Sequence, residues 1–174
     1  MMIKHNEFDT VYHEHLSYFL VHSFKALVER LGMHILDIMQ TQIHGGSIRF
    51  FVQKGIGTHT KKVDGLIKSE KLKGLLDIKT YKAYAERVRK NKKQMKVMLR
   101  KLQKTKKLIG YGASAKGNTM LNYFKINLDY IVDDNPLKWG YMTPGRNIQI
   151  VSPEQIRREE KSLAIVILSW NFYN

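Results

Sequence analysis

The chain contains no cysteine among its 174 residues. Disulfide bonds and thiolate-bound metal sites are therefore excluded, and the composition fits a reducing compartment, so we expect a cytoplasmic protein. No apolar run approaches the roughly twenty residues that a membrane span requires, and the first residues lack the apolar core of a signal peptide. We therefore predict no membrane association.

Acidic residues are few compared with basic ones, and the formal net charge is +15. Such an excess suggests nucleic acid, an acidic membrane surface or a phosphorylated ligand as a partner. Eighteen of the 30 basic residues lie between His59 and Leu108, in a pattern typical of amphipathic helices. Aromatic residues do not alternate with this basic cluster as they do in a stacking platform. We interpret the segment as the solvated face of connecting helices and expect no nucleic-acid partner.

The first third of the chain predicts a helix followed by a hairpin. Apolar residues recur at helical spacing from Phe24 to Leu31, and Ser23 is a plausible N-cap. Segments 33–39 and 47–53 have strand character, and two glycines between them permit a turn. We predict an antiparallel pair of strands.

The rest of the chain predicts a helical connector and a parallel sheet. Residues 66–105 have a helical pattern with a break at 74–77, and strand and helix patterns alternate from residue 107. This alternation predicts a small Rossmann-like unit. Its predicted strands are 108–111, 128–132, 148–151 and 163–168, the last an apolar run typical of a strand buried on both faces.

The stretch Tyr12-His13-Glu14-His15 contains two imidazoles, a carboxylate and a phenol in four consecutive positions. These groups can exchange protons near neutral pH, as acid–base catalysis requires. The predicted helix that follows places His15 at or just before its first turn, where the helix dipole disfavours an added proton. Clustered histidines are also common as plain surface residues, and the residues alone leave both interpretations open.

A glycine-rich turn follows the first predicted strand of the Rossmann-like unit. Gly110 and Gly112 precede a helix N-terminus, and Asp133 follows at about the spacing of a dinucleotide site. Backbone amides, the Ser114 hydroxyl and the Lys116 ammonium can hold a phosphate there. Plain packing of strand against helix explains the glycines equally well.

The last predicted strand ends in Ser169-Trp170-Asn171-Phe172. Ligands of open α/β sheets bind outside the carboxyl ends of the strands, so Asn171 is a candidate substrate contact. We interpret Trp170 and Phe172 as buried aromatic residues.

Five segments occur in the order seen in sugar C-methyltransferases. The chain resembles the C-terminal half of these S-adenosylmethionine-dependent enzymes, which methylate a ring carbon of nucleotide-linked keto-deoxysugars. The matching segments are 8–19, 32–33, 44–49, 110–117 and 169–172.

The resemblance implies roles for individual residues. It makes His15 the base that removes a proton beside the sugar ketone, with Glu14 orienting groups and raising basicity and Tyr12 hydrogen-bonding the developing oxyanion. His44 and Arg49 would bind substrate or hold the loop. By analogy with other α/β folds rather than from the resemblance, Ser114 and Lys116 are candidate contacts to the nucleotide diphosphate and Asn171 is a candidate contact to the substrate.

The resemblance also implies a domain organisation within an α/β fold. Residues 1–57 would be the tail of a methyltransferase domain, 58–106 a helical connector, and 107–174 a truncated Rossmann-like domain. Full-length members carry a cysteine-rich zinc module and a cofactor-binding domain ahead of these parts. S-adenosylmethionine would then be bound by a domain absent from this chain, and a separate protein chain is the expected source of that domain.

Two other functions remain open from the sequence. The chain can be a non-catalytic module that binds nucleotide sugars or nucleotides through residues 107–174. An NAD-dependent enzyme would need a longer sheet than this chain offers.

Overall fold

The structure, a computed structural model, describes residues 2–41, 46–160 and 162–170. The chain forms two compact units that interleave in sequence. The first contains Ile3–His5 and Leu16–Glu86, and the second contains Asn6–His15 and all residues from Arg87 onward, together with Met2. Both units combine helices and strands, which confirms the predicted α/β class.

The first unit is a helix, a hairpin and a second helix. Strands β1 (Met33–Thr41) and β2 (Ser47–Lys54) pair antiparallel, with Ile35 opposite Val52 and Ile38 opposite Phe50, so the predicted hairpin is confirmed. Ile35 and Ile38 are buried in a core shared with both helices. A short helix α1 (Met2–His5) precedes these elements, whose bounds are α2 (Val21–Arg30), β1 (Met33–Thr41), β2 (Ser47–Lys54) and α3 (Lys61–Leu72).

Helix α2 begins at Val21, so the prediction of Ser23 as its N-cap is wrong. The buried carboxylate of Glu70, on α3, accepts hydrogen bonds from the backbone N–H groups of Val21 at 2.7 Å and His22 at 3.0 Å. Ser23 lies inside the first turn, where its Oγ accepts from the N–H of Leu20 at 3.0 Å. The helix is thus capped by a residue 49 positions away.

Helix α4 (Ile78–Leu102) is the longest element, with 25 residues. The gap between α3 and α4 confirms the predicted break near residues 74–77. Within α4, the residues up to Glu86 belong to the first unit and those from Arg87 belong to the second. Within the described ranges, no helix combines the length and apolarity needed to cross a membrane.

The second unit is built on a four-stranded parallel sheet. Its strands, in spatial order, are β5 (Ile150–Val151), β4 (Tyr130–Val132), β3 (Lys107–Tyr111) and β6 (Leu163–Ile167), and buried residues of β3 and β4 form its centre. This arrangement confirms the predicted Rossmann-like sheet. The elements are β3 (Lys107–Tyr111), α5 (Ala115–Phe124), β4 (Tyr130–Val132), β5 (Ile150–Val151), α6 (Glu154–Arg157) and β6 (Leu163–Ile167).

Strand β6 is one of the two outer strands of this sheet. Ile165 is 46% and Ile167 is 37% exposed, so the prediction of a strand buried on both faces is wrong. Apolar character alone does not decide burial, because an outer strand has a neighbouring strand on one side only.

The strand order creates a switch point. From β3 the chain adds β4 and β5 on one side and then β6 on the other. Loops that leave neighbouring strands in opposite directions open a crevice at the carboxyl ends of those strands. The turn after β3 and the segment after β6 meet at this edge.

Candidate functional site

The segment Asn6–His15 belongs to the second unit, where its residues pack against α5 and the segment after β6. Residues Phe8–Thr10 form one turn of 3-10 helix. The Phe8 ring stacks on the ring of Phe124, with centroids 4.8 Å apart and planes at 19°. This contact anchors the apolar side of the segment on α5.

His15 makes a hydrogen bond that fixes its tautomer. Its Nδ1 lies 2.7 Å from the carbonyl oxygen of Thr10. A carbonyl oxygen only accepts hydrogen bonds, so in the neutral ring Nδ1 carries the proton and Nε2 holds the lone pair. Nε2 is therefore the ring atom able to accept a proton.

The other residues of this stretch differ in their ring contacts and in their exposure to solvent. The Tyr12 ring centroid lies 4.3 Å from that of His15, whereas the His13 ring lies 6.1 Å from Tyr12. Tyr12 is half-buried, and His13, Glu14 and His15 are exposed. Since α2 begins at Val21, His15 is not in its first turn, and the predicted influence of that helix dipole on His15 is wrong.

The turn between β3 and α5 is held by the carboxylate of Asp133. Its Oδ2 accepts from the N–H of Ala113 at 2.7 Å and from Nζ of Lys138 at 2.9 Å, and its Oδ1 accepts from the N–H of Asn135 at 2.9 Å. Burial by itself would raise the pKa of Asp133, but these donors outweigh burial and lower the pKa below its ordinary value. All three contacts are within the protein, so this carboxylate is engaged in holding the turn.

Ser114 is the N-cap of α5. Its Oγ accepts from the N–H of Gly117 at 3.1 Å and donates to the carbonyl of Leu168 at 3.1 Å. The single hydroxyl proton of Ser114 is thus used in the bond to Leu168, just after β6. Ser114 caps α5 and connects this helix to the carboxyl end of β6.

Lys116 lies in the first turn of α5 and is buried, at 8% exposure. Its Nζ has no hydrogen-bond partner among the described residues, and it lies 5.0 Å from the centroid of the Trp170 ring. The backbone N–H groups of Ala115 and Lys116 likewise have no acceptor among the described residues. A buried ammonium and open amides at one helix N-terminus attract an anion.

Two residues of the site were not predicted as polar contacts. The Nε1 of Trp170 donates a hydrogen bond to Oδ2 of buried Asp9 at 2.6 Å, and Trp170 is 39% exposed. The interpretation of Trp170 as a buried aromatic residue is therefore wrong. Asp9 and Trp170 lie in two of the five segments that carry the resemblance to sugar C-methyltransferases. Their place in these segments was the sequence signal that could have identified them as site residues.

The remaining predicted site residues are separated or undescribed. Arg49 is exposed on β2 of the first unit, opposite Met39. His44, Asn171 and Phe172, the last of which we interpreted as buried, lie outside the described residues. No group of three or more His, Asp or Glu side chains suited to a metal ion occurs in the described ranges.

Comparison with known proteins identifies the family. Residues 42–174 match the model of the C-methyltransferase C-terminal domain. The chain is also 31% identical over 177 aligned positions to C-methyltransferase NovU of Streptomyces niveus, covering 98% of this chain and 42% of NovU. The chain thus spans less than half the length of that relative, and the predicted resemblance to the C-terminal part of such enzymes is confirmed. Because the family model matches most of its residues, the chain belongs to the C-methyltransferase C-terminal domain family.

Proposed function

We propose that this chain contributes the catalytic base and the diphosphate contacts of an S-adenosylmethionine-dependent C-methyltransferase that acts on a nucleotide-linked keto-deoxysugar. The observation that carries the proposal is the hydrogen bond between His15 Nδ1 and the carbonyl of Thr10, because it leaves Nε2 as the basic ring nitrogen. Family membership supports methyl transfer to carbon as the overall reaction.

The step assigned to this chain is a proton transfer. His15 Nε2 takes the proton from the ring carbon beside the sugar ketone, and the electron pair of that C–H bond becomes an enolate. The half-buried Tyr12, beside the His15 ring, donates a hydrogen bond to the enolate oxygen. Glu14 orients the groups around the base.

The described residues do not fit S-adenosylmethionine. The glycine-containing turn between β3 and α5 places a buried ammonium, Lys116, where a sulfonium cation would be repelled. Asp133, which would bind a ribose hydroxyl in a nucleoside site, is already engaged with three donors. Both observations suit an anion and support the expectation that another domain binds the cofactor.

The diphosphate of the substrate is assigned to the N-terminus of α5. The ammonium of Lys116 and the N–H groups of Ala115 and Lys116 supply a cation and two donors at the switch point between β3 and β6. Ser114 supports this site by capping the helix. Arg49, His44 and Asn171 remain proposed contacts to the sugar.

A separate chain carrying the zinc and cofactor domains is the proposed partner. In the described residues β2 pairs only with β1, and Ile48, Phe51 and Val52 on β2 are all exposed. An eight-residue strand with open backbone groups and exposed apolar side chains is suited to pairing with a further strand. The chain covers 42% of the length of NovU.

The test uses hydrogen exchange at the substrate carbon. The chain, alone and with an N-terminal cofactor-domain chain, is incubated in D2O with a nucleotide-linked keto-deoxysugar, and NMR records loss of the proton beside the ketone. His15→Gln should slow exchange by about 100-fold or more and leave sugar affinity unchanged in calorimetry. Exchange that survives His15→Gln would contradict the proposed base, and heat from S-adenosylmethionine with this chain alone would contradict the missing cofactor domain.

The second candidate is a non-catalytic module that binds nucleotide sugars. The observation that favours it is the Lys116 site, which lies wholly within the second unit. Such a module would bind the nucleotide sugar, lose affinity on Lys116→Met, and show no proton exchange in any mixture. That combination would replace the enzymatic proposal.

A further inference from the structure

We propose that Asp9 and Trp170 are positioning residues that hold the His15 imidazole with its proton on Nδ1. Their meaning for catalysis rests on the proposed function, but the structural effect can be measured without it. Neither residue needs to touch the substrate for this role.

The first step is the bond between the two side chains. Trp170 Nε1 donates to Asp9 Oδ2 at 2.6 Å, and Asp9 is only 6% exposed. Hydrogen bonds to an ionised acceptor are stronger than those between neutral groups, and an unpaired buried carboxylate is costly. The indole is therefore a strong anchor for the backbone at Asp9.

The second step connects this anchor to the base. Asp9 is the middle residue of the turn Phe8–Thr10, and the next residue provides the carbonyl that holds His15 Nδ1 at 2.7 Å. Phe8 anchors the other side of the same turn on Phe124. Two attachments on neighbouring residues fix how the turn is rotated, so they fix the direction of the Thr10 carbonyl.

The third step is chemical. An unconstrained neutral histidine exchanges between its two tautomers and favours the one with the proton on Nε2. That form cannot use Nε2 as a base, and a second hydrogen bond at Nδ1 is the usual way in which proteins select the reactive tautomer. Asp9 and Trp170 would thus act on the base through the Thr10 carbonyl.

The test is the tautomer of His15, read from its two ring ¹⁵N shifts by NMR at about two pH units above the ordinary imidazole pKa of about 6.5. His15→Gln assigns the signals. In the unaltered chain the Nδ1–H form should dominate, and Trp170→Phe should shift the ratio toward Nε2–H by about fivefold, the effect of losing one ordinary hydrogen bond.

The chain offers a matched control and an internal reference. Trp139 Nε1 donates to the carbonyl of Asp133 at 2.7 Å, so Trp139→Phe removes an equivalent indole bond from the same unit. His34 Nδ1 lies 2.8 Å from the carbonyl of Gly55, in the first unit. His34 should stay Nδ1–H in every variant, and Trp139→Phe should leave His15 unchanged.

A second pair of variants covers the case in which Trp170→Phe fails to fold. Asp9→Leu should give the same shift as Trp170→Phe, and Asp9→Asn, which keeps an oxygen acceptor, should restore most of the Nδ1–H form. A His15 that is already Nε2–H in the unaltered chain would overturn the proposal. An equal change in Trp170→Phe and Trp139→Phe, or no change in Trp170→Phe and Asp9→Leu, would also overturn it.

The outcome is independent of turnover. No substrate or methyl donor enters the NMR measurement. A chain that shows the tautomer shift but no His15-dependent proton exchange would refute the proposed function and leave the positioning role intact.

Discussion

Gly117 packs so closely on Leu168 that a β-carbon added to the glycine would lie 2.6 Å from Cβ of Leu168 and 3.2 Å from its carbonyl oxygen. Non-bonded carbon atoms do not approach each other to 2.6 Å, so a side chain at position 117 must push α5 away from the end of β6. The glycine is thus required for the close contact of helix and strand.

We therefore expect Gly117→Ala to destabilise the second unit by about 1–3 kcal/mol, as overpacking does elsewhere. Denaturation followed by tryptophan fluorescence measures this, because both tryptophans, Trp139 and Trp170, lie in that unit.

The matched control is Gly65→Ala. Gly65 lies inside α3 with no atom within 4 Å of an added β-carbon. Alanine favours helices over glycine by up to about 1 kcal/mol, so this variant should stabilise the first unit, as measured by amide hydrogen exchange. Equal effects of the two variants would contradict the packing argument.

Lys116→Met should stabilise the free chain by about 1–2 kcal/mol, because it removes a buried charge that has no hydrogen-bond partner in the described structure. The same change should abolish binding of a nucleoside diphosphate in calorimetry. Lys125→Met, at an exposed position after the same helix, is the control and should change neither quantity. A loss of stability in Lys116→Met comparable to a core substitution would show that the ammonium has a stabilising partner.

Glu70→Gln should weaken α2 by about 1–2 kcal/mol, because it replaces one of the two acceptor oxygens at the helix N-terminus and removes the favourable charge there. Hydrogen exchange of the α2 amides measures the effect. The control is Glu29→Gln, which alters an exposed i,i+4 pair with Lys25 on the same helix and should cost almost nothing. Similar protection in both variants would argue against capping by Glu70.

Asp133 should make the second unit acid-sensitive. Since its pKa is lowered in the folded state, the carboxylate stabilises the fold fully above the unfolded-state pKa of about 3.9, and this stabilisation is lost as the pH falls through the folded-state pKa. Asp133→Asn should lower the free energy of unfolding at neutral pH by about 2 kcal/mol. The curves of the variant and the unaltered chain should converge at acid pH, and parallel curves would contradict this assignment.

Local pattern predicted the helices and strands, and long-range contacts explain what it missed. The order of helix, hairpin, connector and parallel sheet followed from periodicities within each segment. The cap of α2 did not, because Glu70 lies 49 positions from Val21. The bond between Asp9 and Trp170 joins residues 161 positions apart, and no spacing rule relates them.

Burial and hydrogen-bond use were likewise not readable from residue type. The composition of β6 is that of a covered strand, yet its place at the edge of the sheet leaves Ile165 and Ile167 exposed. Ser114 was predicted as a phosphate contact, and in the structure its hydroxyl caps α5 and bonds to the carbonyl of Leu168.

The interleaving of the two units has a consequence for synthesis on the ribosome. Residues 6–15 are held by the ring of Phe124 and the indole of Trp170. Both of these residues are translated more than a hundred positions after that segment. Contacts between such distant residues form slowly and late. The nascent chain must therefore carry the histidine segment without its Trp170 anchor until the last strand of the sheet has been made.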